Sequence, residues 1–454
     1  MFGGKLELLA ISLFTLSGIA FIYILRFSMR STRFLEQLFW YIAGCGLSDF
    51  SKKVLYFGGN GDVSLLYYGC LIFPDIIFLG ILVSNRKSVS TINATIVFGI
   101  LMALCLHGII LDGFTSTIIA IKTYAVLTLW LIFEPEYYLP TRAEIQNFLM
   151  LLFCLILISG IYGLFQFLTG YFGWESNWFK YSPTKMSVRD VTNGGKFFRA
   201  FSLFSGIQEY SLILTYVLSL LAFLTHNKLK IIGSITIVLF LISTGSKTTI
   251  LALIISWVFY FTKLYRSALL LLSTFCLSVA FIYTRPSYEI YQFVLLLREK
   301  LPHGIASMID PITIMPRIII MIEFFKLNQT WFTIIVGHGF GSSRGTHIFD
   351  NSYLMIFYEL GCLGIATMLG TVILFFKAAS NILDNPNCEI VTKSIAKAFI
   401  VFVITGIISQ FFSQLIAIRT FYILFVSCIS WTIMVEHNLQ QKVSASNQIS
   451  AVQQ

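Results

Sequence analysis

Charged residues are scarce in this sequence: Asp, Glu, Lys and Arg make up 11% of its 454 residues, against roughly a quarter in an ordinary soluble protein. That scarcity excludes a soluble globular chain, which needs surface charge to stay dissolved. Paired cysteine motifs are missing as well. Cys45, Cys70, Cys105, Cys154, Cys276, Cys362 and Cys428 lie in or beside apolar runs, Cys388 lies in a polar loop, and no two form a Cys-x-x-Cys pair. A disulfide framework, a metal site and a thiol redox centre are therefore not expected. No small-residue cleavage site follows the first apolar run, so that run reads as a retained span instead of a signal peptide. No internal repeat of the kind that marks secondary transporters is visible.

What is present is apolar. Hydrophobic residues make up 57% and aromatics 16%, including 44 Phe, and the mean hydropathy is +0.83. This composition suits lipid-facing helices and interfacial belts. The expected fold is all-α: one polytopic transmembrane helical bundle over residues 1–439, followed by a polar, disordered tail over 440–454. About 13 runs reach the length needed to cross the hydrocarbon core. They lie near 7–26, 34–50, 63–84, 92–111, 117–133, 146–170, 201–224, 229–245, 248–264, 267–284, 352–376, 395–416 and 418–436.

The net charge is +10. Much of it sits in short loops that fall on one side when the spans alternate. These carry Arg26, Arg30 and Arg33; Arg86 and Lys87; Lys228 and Lys230; Lys263 and Arg266; and Lys377, Lys393 and Lys397. That side is expected to be cytoplasmic. Two long loops, 171–200 and 285–350, then lie on the extracytoplasmic side. Loops of that length inside a compact membrane protein are functional or disordered. The second contains two amphipathic segments, Tyr288–Glu299 and Pro316–Lys326, of the kind that lies on a membrane surface or caps a cavity.

The first long loop holds Lys180, Lys185, Arg189, Lys196 and Arg199, and the second holds Arg285, Arg298, Lys300, Arg317, Lys326 and Arg344. Solvated charge accounts for many of these, because long loops escape the positive-inside rule. Three cations stand at membrane borders instead. Arg199 opens the seventh span, Lys247 lies in the tight turn Ser243–Thr248, and Arg317 follows Pro316 at a helix start. Charge near the apolar layer is costly unless it faces a cavity or a partner, and an anionic ligand would supply that partner. Arg suits phosphate through its planar fork of donors. Glu209, within the expected span 201–224, is an intramembrane acid about ten residues, or roughly 15 Å, below Arg199 along a helix. It either pairs with a cation or accepts a proton from a substrate hydroxyl. Gly337-His338-Gly339-Phe340-Gly341 forms a glycine turn with room for a ligand, although a purely structural turn explains it as well. Asp350-Asn351-Ser352-Tyr353 stands at the mouth of a span, where an ordinary N-cap competes with a catalytic role. His338, His347 and Asp350 fit no metal-ligand spacing.

Taken together, these residues resemble the superfamily of O-antigen ligases and O-antigen polymerases. The shared pattern runs through Arg199–Gly206, the Ser243–Lys247 hairpin, the helix led by Arg317, the Gly337–Gly341 turn, Asp350–Leu354 and Gly361–Gly364. It covers about 199–376. Two departures stand out: Lys247 where Arg is frequent, and Asp350 where the ligases typically carry His. The second tilts the resemblance toward the polymerases. It implies a GT-C-like bundle in a bacterial inner membrane. It also implies transfer of a glycan from undecaprenyl pyrophosphate to a second lipid-linked repeat unit. Arg199, Lys247, Arg317 and Arg344 would bind pyrophosphate, Asp350 or Glu209 would orient or deprotonate the acceptor hydroxyl, and Asn351 and Tyr353 would contact sugar. Trp174 and Trp178 either stack on sugar rings or anchor the loop at the interface. No cofactor or metal is implied. The expected partners are the lipid-linked oligosaccharide, membrane lipid and a chain-length regulator, with no nucleic acid. The alternatives are a ligase that delivers glycan to lipid A core, and a lipid-linked oligosaccharide transporter.

Overall fold

Long apolar runs have one common solution in lipid. Each backbone N–H must find a carbonyl within its own segment, so the run becomes a helix. The computed structural model describes residues 3–31, 33–56, 64–122, 126–138, 140–181, 192–193, 197–204, 206–224, 227–266, 330–343, 352–410 and 419–452, with 292, 295–296 and 299–300. The helices in its N-terminal half are α1 (Gly3–Arg30), α2 (Phe34–Val54), α3 (Ser64–Leu71), α4 (Phe73–Ser84), α5 (Thr91–Leu111), α6 (Phe114–Ala120), α7 (Arg142–Thr169) and α8 (Gly173–Tyr181). They continue as α9 (Ile207–Leu224), α10 (Asn227–Thr244), α11 (Lys247–Phe261), α12 (Trp331–Val336), α13 (Ser352–Asp384), α14 (Ile390–Gln410) and α15 (Arg419–Val452). One small antiparallel ladder interrupts them: β1 (Thr192–Asn193) pairs with β2 (Phe197–Phe198), Thr192 opposite Phe198.

Eight helices among the described residues are long and apolar enough to cross a membrane: α1, α3 with α4, α5, α7, α9, α13, α14 and α15. The protein is therefore an all-α polytopic membrane protein. α10 and α11 are apolar but shorter. α2 has the length but carries Glu36, Asp49, Lys52 and Lys53, and most of it is buried. Two expected spans differ most from the helices found. The run at 117–133 is discontinuous: α6 ends at Ala120, one π-type turn follows, and 126–132 is a 3₁₀ helix. The run at 201–224 begins as helix only at Ile207. The run at 267–284 lies outside the described residues, as do most of the two amphipathic segments. The polar tail, expected to be disordered, continues α15 as helix to Val452.

The helices sort by their solvent. In α1 and α5 only 11% of the most apolar window is buried, whereas in α9 the figure is 78%. α9 is thus the bundle's centre, packed against α10 and α14, while α1 and α5 face lipid. Large exposed side chains such as Ile92, Ile110 and Phe261 fit that environment. Exposed threonines on these helices do not waste their hydroxyls: Thr95, Thr236 and Thr367 each donate to the carbonyl four residues back, at 2.8–2.9 Å. That removes a polar group from lipid. α7 starts from a capping box in Thr141-Arg142-Ala143-Glu144, where cap and acid satisfy two otherwise orphan backbone donors.

The short basic loops gather at one end. There Arg33 meets Glu144 at 2.7 Å, Ser90 N–H donates to Ile132 O at 2.9 Å and Glu134 N–H donates to Ser88 O at 2.8 Å. The other end, hereafter the α8 end, carries α8, the β ladder and α12. Asn177 ties α8 to Tyr56 O at 3.1 Å, and His107 meets Val336 O at 2.8 Å.

Candidate functional site

Residues 199–204 at the α8 end are not helical. They form an irregular strap between the ladder and α9, held from several sides. Ala200 N–H donates to Ser243 O at 3.0 Å, which ties the strap to the end of α10. Arg199 then reaches over the α10–α11 turn. Its Nη2 donates to Gly245 O at 3.0 Å and its Nε to Thr244 O at 3.4 Å. Those carbonyls close a helix C-terminus, where cations are favoured. Gly245 takes φ +60°, which lets the chain reverse directly into α11. Lys247 is the first residue of α11 and is exposed. Arg199 and Lys247, both expected at a pyrophosphate site, therefore converge on one turn.

Beneath the strap lies a set of buried charges. Asp49 and Lys52, one turn apart on α2, form an ion pair. Lys53 is 0% exposed; it donates to Ser202 O at 2.6 Å. Its ammonium also lies 4.3 Å from the Phe201 ring centroid and 5.7 Å from that of Trp178. Glu175 on α8 is also 0% exposed. It accepts from Tyr162 Oη and Gln166 Nε2, both at 2.6 Å, and from Phe172 N–H at 3.1 Å. Burial pushes the Glu175 carboxyl above its usual range, although Lys53 and these three donors pull it down. Burial likewise raises the Tyr171 phenol, whose hydroxyl donates to Arg199 O at 2.7 Å.

Glu209 is 4% exposed, but it does not lie deep. Because α9 starts at Ile207, Glu209 occupies its first turn, at the same end as Arg199 and within electrostatic reach of Lys52 and Lys53. This corrects the expected depth: the intervening residues are strap, not helix. Trp178 is 1% exposed and packs under Phe201, so it is neither an interfacial anchor nor an open platform. Trp174 is half-buried and stacks on Phe172 at 4.3 Å. Tyr353 is 5% exposed and donates to Ile407 O at 2.7 Å; its hydroxyl is committed to α14. Arg317, Arg344, His347, Asp350 and Asn351 lie outside the described residues.

No family model matches this chain, and no curated protein matches it in sequence. The resemblance to the O-antigen superfamily therefore stands on the residues quoted for it.

The glycine turn expected at 337–341 is a packing device. It threads between α5, α6 and a break in α13, where Gly361 takes φ +61° and ψ −156°. His338 N–H donates to Tyr358 O at 2.8 Å and Gly339 N–H to Glu359 O at 3.2 Å. These supply partners for carbonyls freed by the break. A Cβ at Gly337 would stand 2.3 Å from Glu359 O, and one at Gly361 would stand 2.5 Å from Ile335 O. The His338 ring stacks on Tyr358 at 4.4 Å. Glu359, 2% exposed, accepts a hydrogen bond from Ser343. Among the described residues no three His, Cys, Asp or Glu side chains stand together as metal ligands do.

Sequence reasoning missed five of these charges. Lys52 and Lys53 fall just past the apolar run 34–50 and read as loop, but the helix continues to Val54. Asp49 inside that run and Glu175 in the first long loop were assigned no role. Glu359 carried the same signal that drew attention to Glu209, an acid within an apolar span, and was findable.

Proposed function

We propose that this chain is a lipid-linked saccharide polymerase of the O-antigen polymerase type, a GT-C-like enzyme of a bacterial inner membrane. It joins undecaprenyl-pyrophosphate-linked repeat units at the extracytoplasmic face. The observation that carries the reading is the convergence of Arg199 and Lys247 on the turn between α10 and α11. Two cations at the border of the apolar layer are suited to a diphosphate. They stabilise the negative charge that develops as the glycosyl–phosphate bond breaks. The diphosphate departs as an anion and needs little protonation. The acceptor hydroxyl needs a group to orient it or take its proton. Glu209 and Asp350 are the assigned acids, Arg317 and Arg344 further phosphate ligands, and Asn351 and Tyr353 sugar contacts. For Tyr353 the ring edge is the part left for that role.

One observation favours a transport reading. Asp75, near the middle of the Leu66–Ser84 span, meets Lys122 at 3.9 Å where the span after α6 loses its helix. Intramembrane ionisable pairs at a helix break are typical of transport paths. The deciding experiment gives purified protein undecaprenyl-pyrophosphate-linked repeat units as sole substrate. A ladder of longer lipid-linked glycans is expected. Transfer to added lipid A core in place of a ladder would make it a ligase. No transfer to either acceptor, with movement of the lipid across proteoliposome membranes, would establish the transport reading. Arg199→Lys is expected to cut chain extension about tenfold or more, since a point charge replaces a fork of donors; band intensities on the same gels measure it.

A further inference from the structure

Most backbone polar atoms of the strap at 199–202 are bonded, and Gln166, Ser243 and Lys53, three of the groups that bond them, are buried. Arg199 O accepts from Tyr171 Oη at 2.7 Å. Ala200 N–H donates to Ser243 O at 3.0 Å. Phe201 N–H and Ser202 N–H both donate to Gln166 Oε1, at 3.2 and 2.7 Å. Ser202 O accepts from Lys53 Nζ at 2.6 Å. Ser202 itself takes φ +56°, the left-handed region that a residue with a Cβ adopts at a cost. Its hydroxyl is held against Ser159, with the two Oγ atoms 2.8 Å apart. A strained residue keeps its shape only when its surroundings over-determine it.

Lys53 is the costliest of these restraints. An ammonium buried in the apolar layer is unfavourable, and a lysine is not needed merely to fill space between Phe201 and Trp178. What its charge adds is a strong bond to the carbonyl of the strained residue, reinforced by the two aromatic faces. Lys53 is on α2, and Ser202 is three residues from Arg199. The chain between them is short, strained and bonded at both edges, so displacement at Ser202 O is passed to Arg199.

We infer that Lys53 is a positioning residue: by holding the carbonyl of left-handed Ser202, it fixes the strap that presents Arg199 beside Lys247. The inference rests on the reading of Arg199 and Lys247 as a diphosphate site. It makes the buried lysine act through Arg199 and not by its own charge on the ligand. The strap, and not the α10–α11 turn alone, then sets the spacing of the two cations.

The test uses the full-length protein in detergent, with inorganic pyrophosphate as the titrant in calorimetry and amide hydrogen exchange over residues 199–206. Lys53→Met is expected to weaken pyrophosphate binding about tenfold. It should speed exchange at Phe201 and Ser202 while leaving protection in α13 and α14 unchanged. In an Arg199→Ala background the same substitution should have no further effect on binding, because coupled sites are non-additive. Equal fold losses in both backgrounds would overturn the inference, as would unchanged exchange across the strap. Should Lys53→Met fail to fold, Gln166→Leu replaces it. That change removes the acceptor for the same two amides without altering a charge, and the same coupling to Arg199 is expected. If the unmodified protein binds no pyrophosphate, the diphosphate reading falls. The exchange measurement then still decides whether Lys53 holds the strap.

Discussion

The two ends of the bundle treat charge differently. At the end with the short basic loops, the ion pair Arg33–Glu144 is partly open to solvent, Arg33 being 46% exposed. At the α8 end Asp49, Lys52, Lys53, Glu175, Glu209 and Glu359 are all buried. Exposed charge costs little and contributes little. Buried charge is costly, and replacing it by well-packed apolar groups is often neutral or stabilising. A chain that only had to cross a membrane would gain nothing from the second arrangement. The α8 end therefore gives up stability to hold particular backbone in particular places, and the strap that carries Arg199 is the clearest beneficiary.

That contrast can be broken by substitution. Asp49→Ala leaves Lys52 buried beside the apolar layer without its ion-pair partner, and should cost about 3–5 kcal/mol in denaturant unfolding in micelles. Ser343→Ala removes a donor from buried Glu359 and should cost about 1–3 kcal/mol by the same method. Glu175 adds a pH dependence. Its folded carboxyl holds its proton more tightly than the unfolded one. Its contribution to stability is thus fully present below the usual carboxylate value and is lost as pH rises through the raised folded value. Glu175→Gln should flatten that slope and raise the unfolding temperature at neutral pH, as scanning calorimetry at stepped pH would record. The smallest effect is expected at the other end: Arg33→Ala should cost about 0–1 kcal/mol. Equal costs for Asp49→Ala and Arg33→Ala would erase the distinction.

Hydropathy made most of the helices legible, because a long apolar run in lipid has few alternatives. What it misplaced were ends and breaks. The apolar run from Phe201 looks continuous, yet Ser202 is left-handed and α9 waits until Ile207. Bonds to Gln166, Ser243 and Lys53 win over helical propensity there, and all three come from distant segments. The turn at Ser243–Lys247 was readable because its glycine and tight spacing are local. Lys53 was not: a lysine pair after an apolar run looks like a membrane border until α8 and the strap are folded over it. The span at 117–133 failed similarly, since its partner is the Gly337–Gly341 turn far along the chain.

The clasp between that turn and the break in α13 has a consequence for how the gene can vary. Gly337 and Gly361 each face the other segment's backbone, with no room for a Cβ on either side. A larger residue at one position cannot be offset by a smaller one at the other, because glycine is already the smallest. A saturation library scored only for folded protein in the membrane should therefore return glycine at both positions, with no second-site revertants within the pair. Such invariance would report an architectural constraint, visible even in a chain whose chemistry had been abolished.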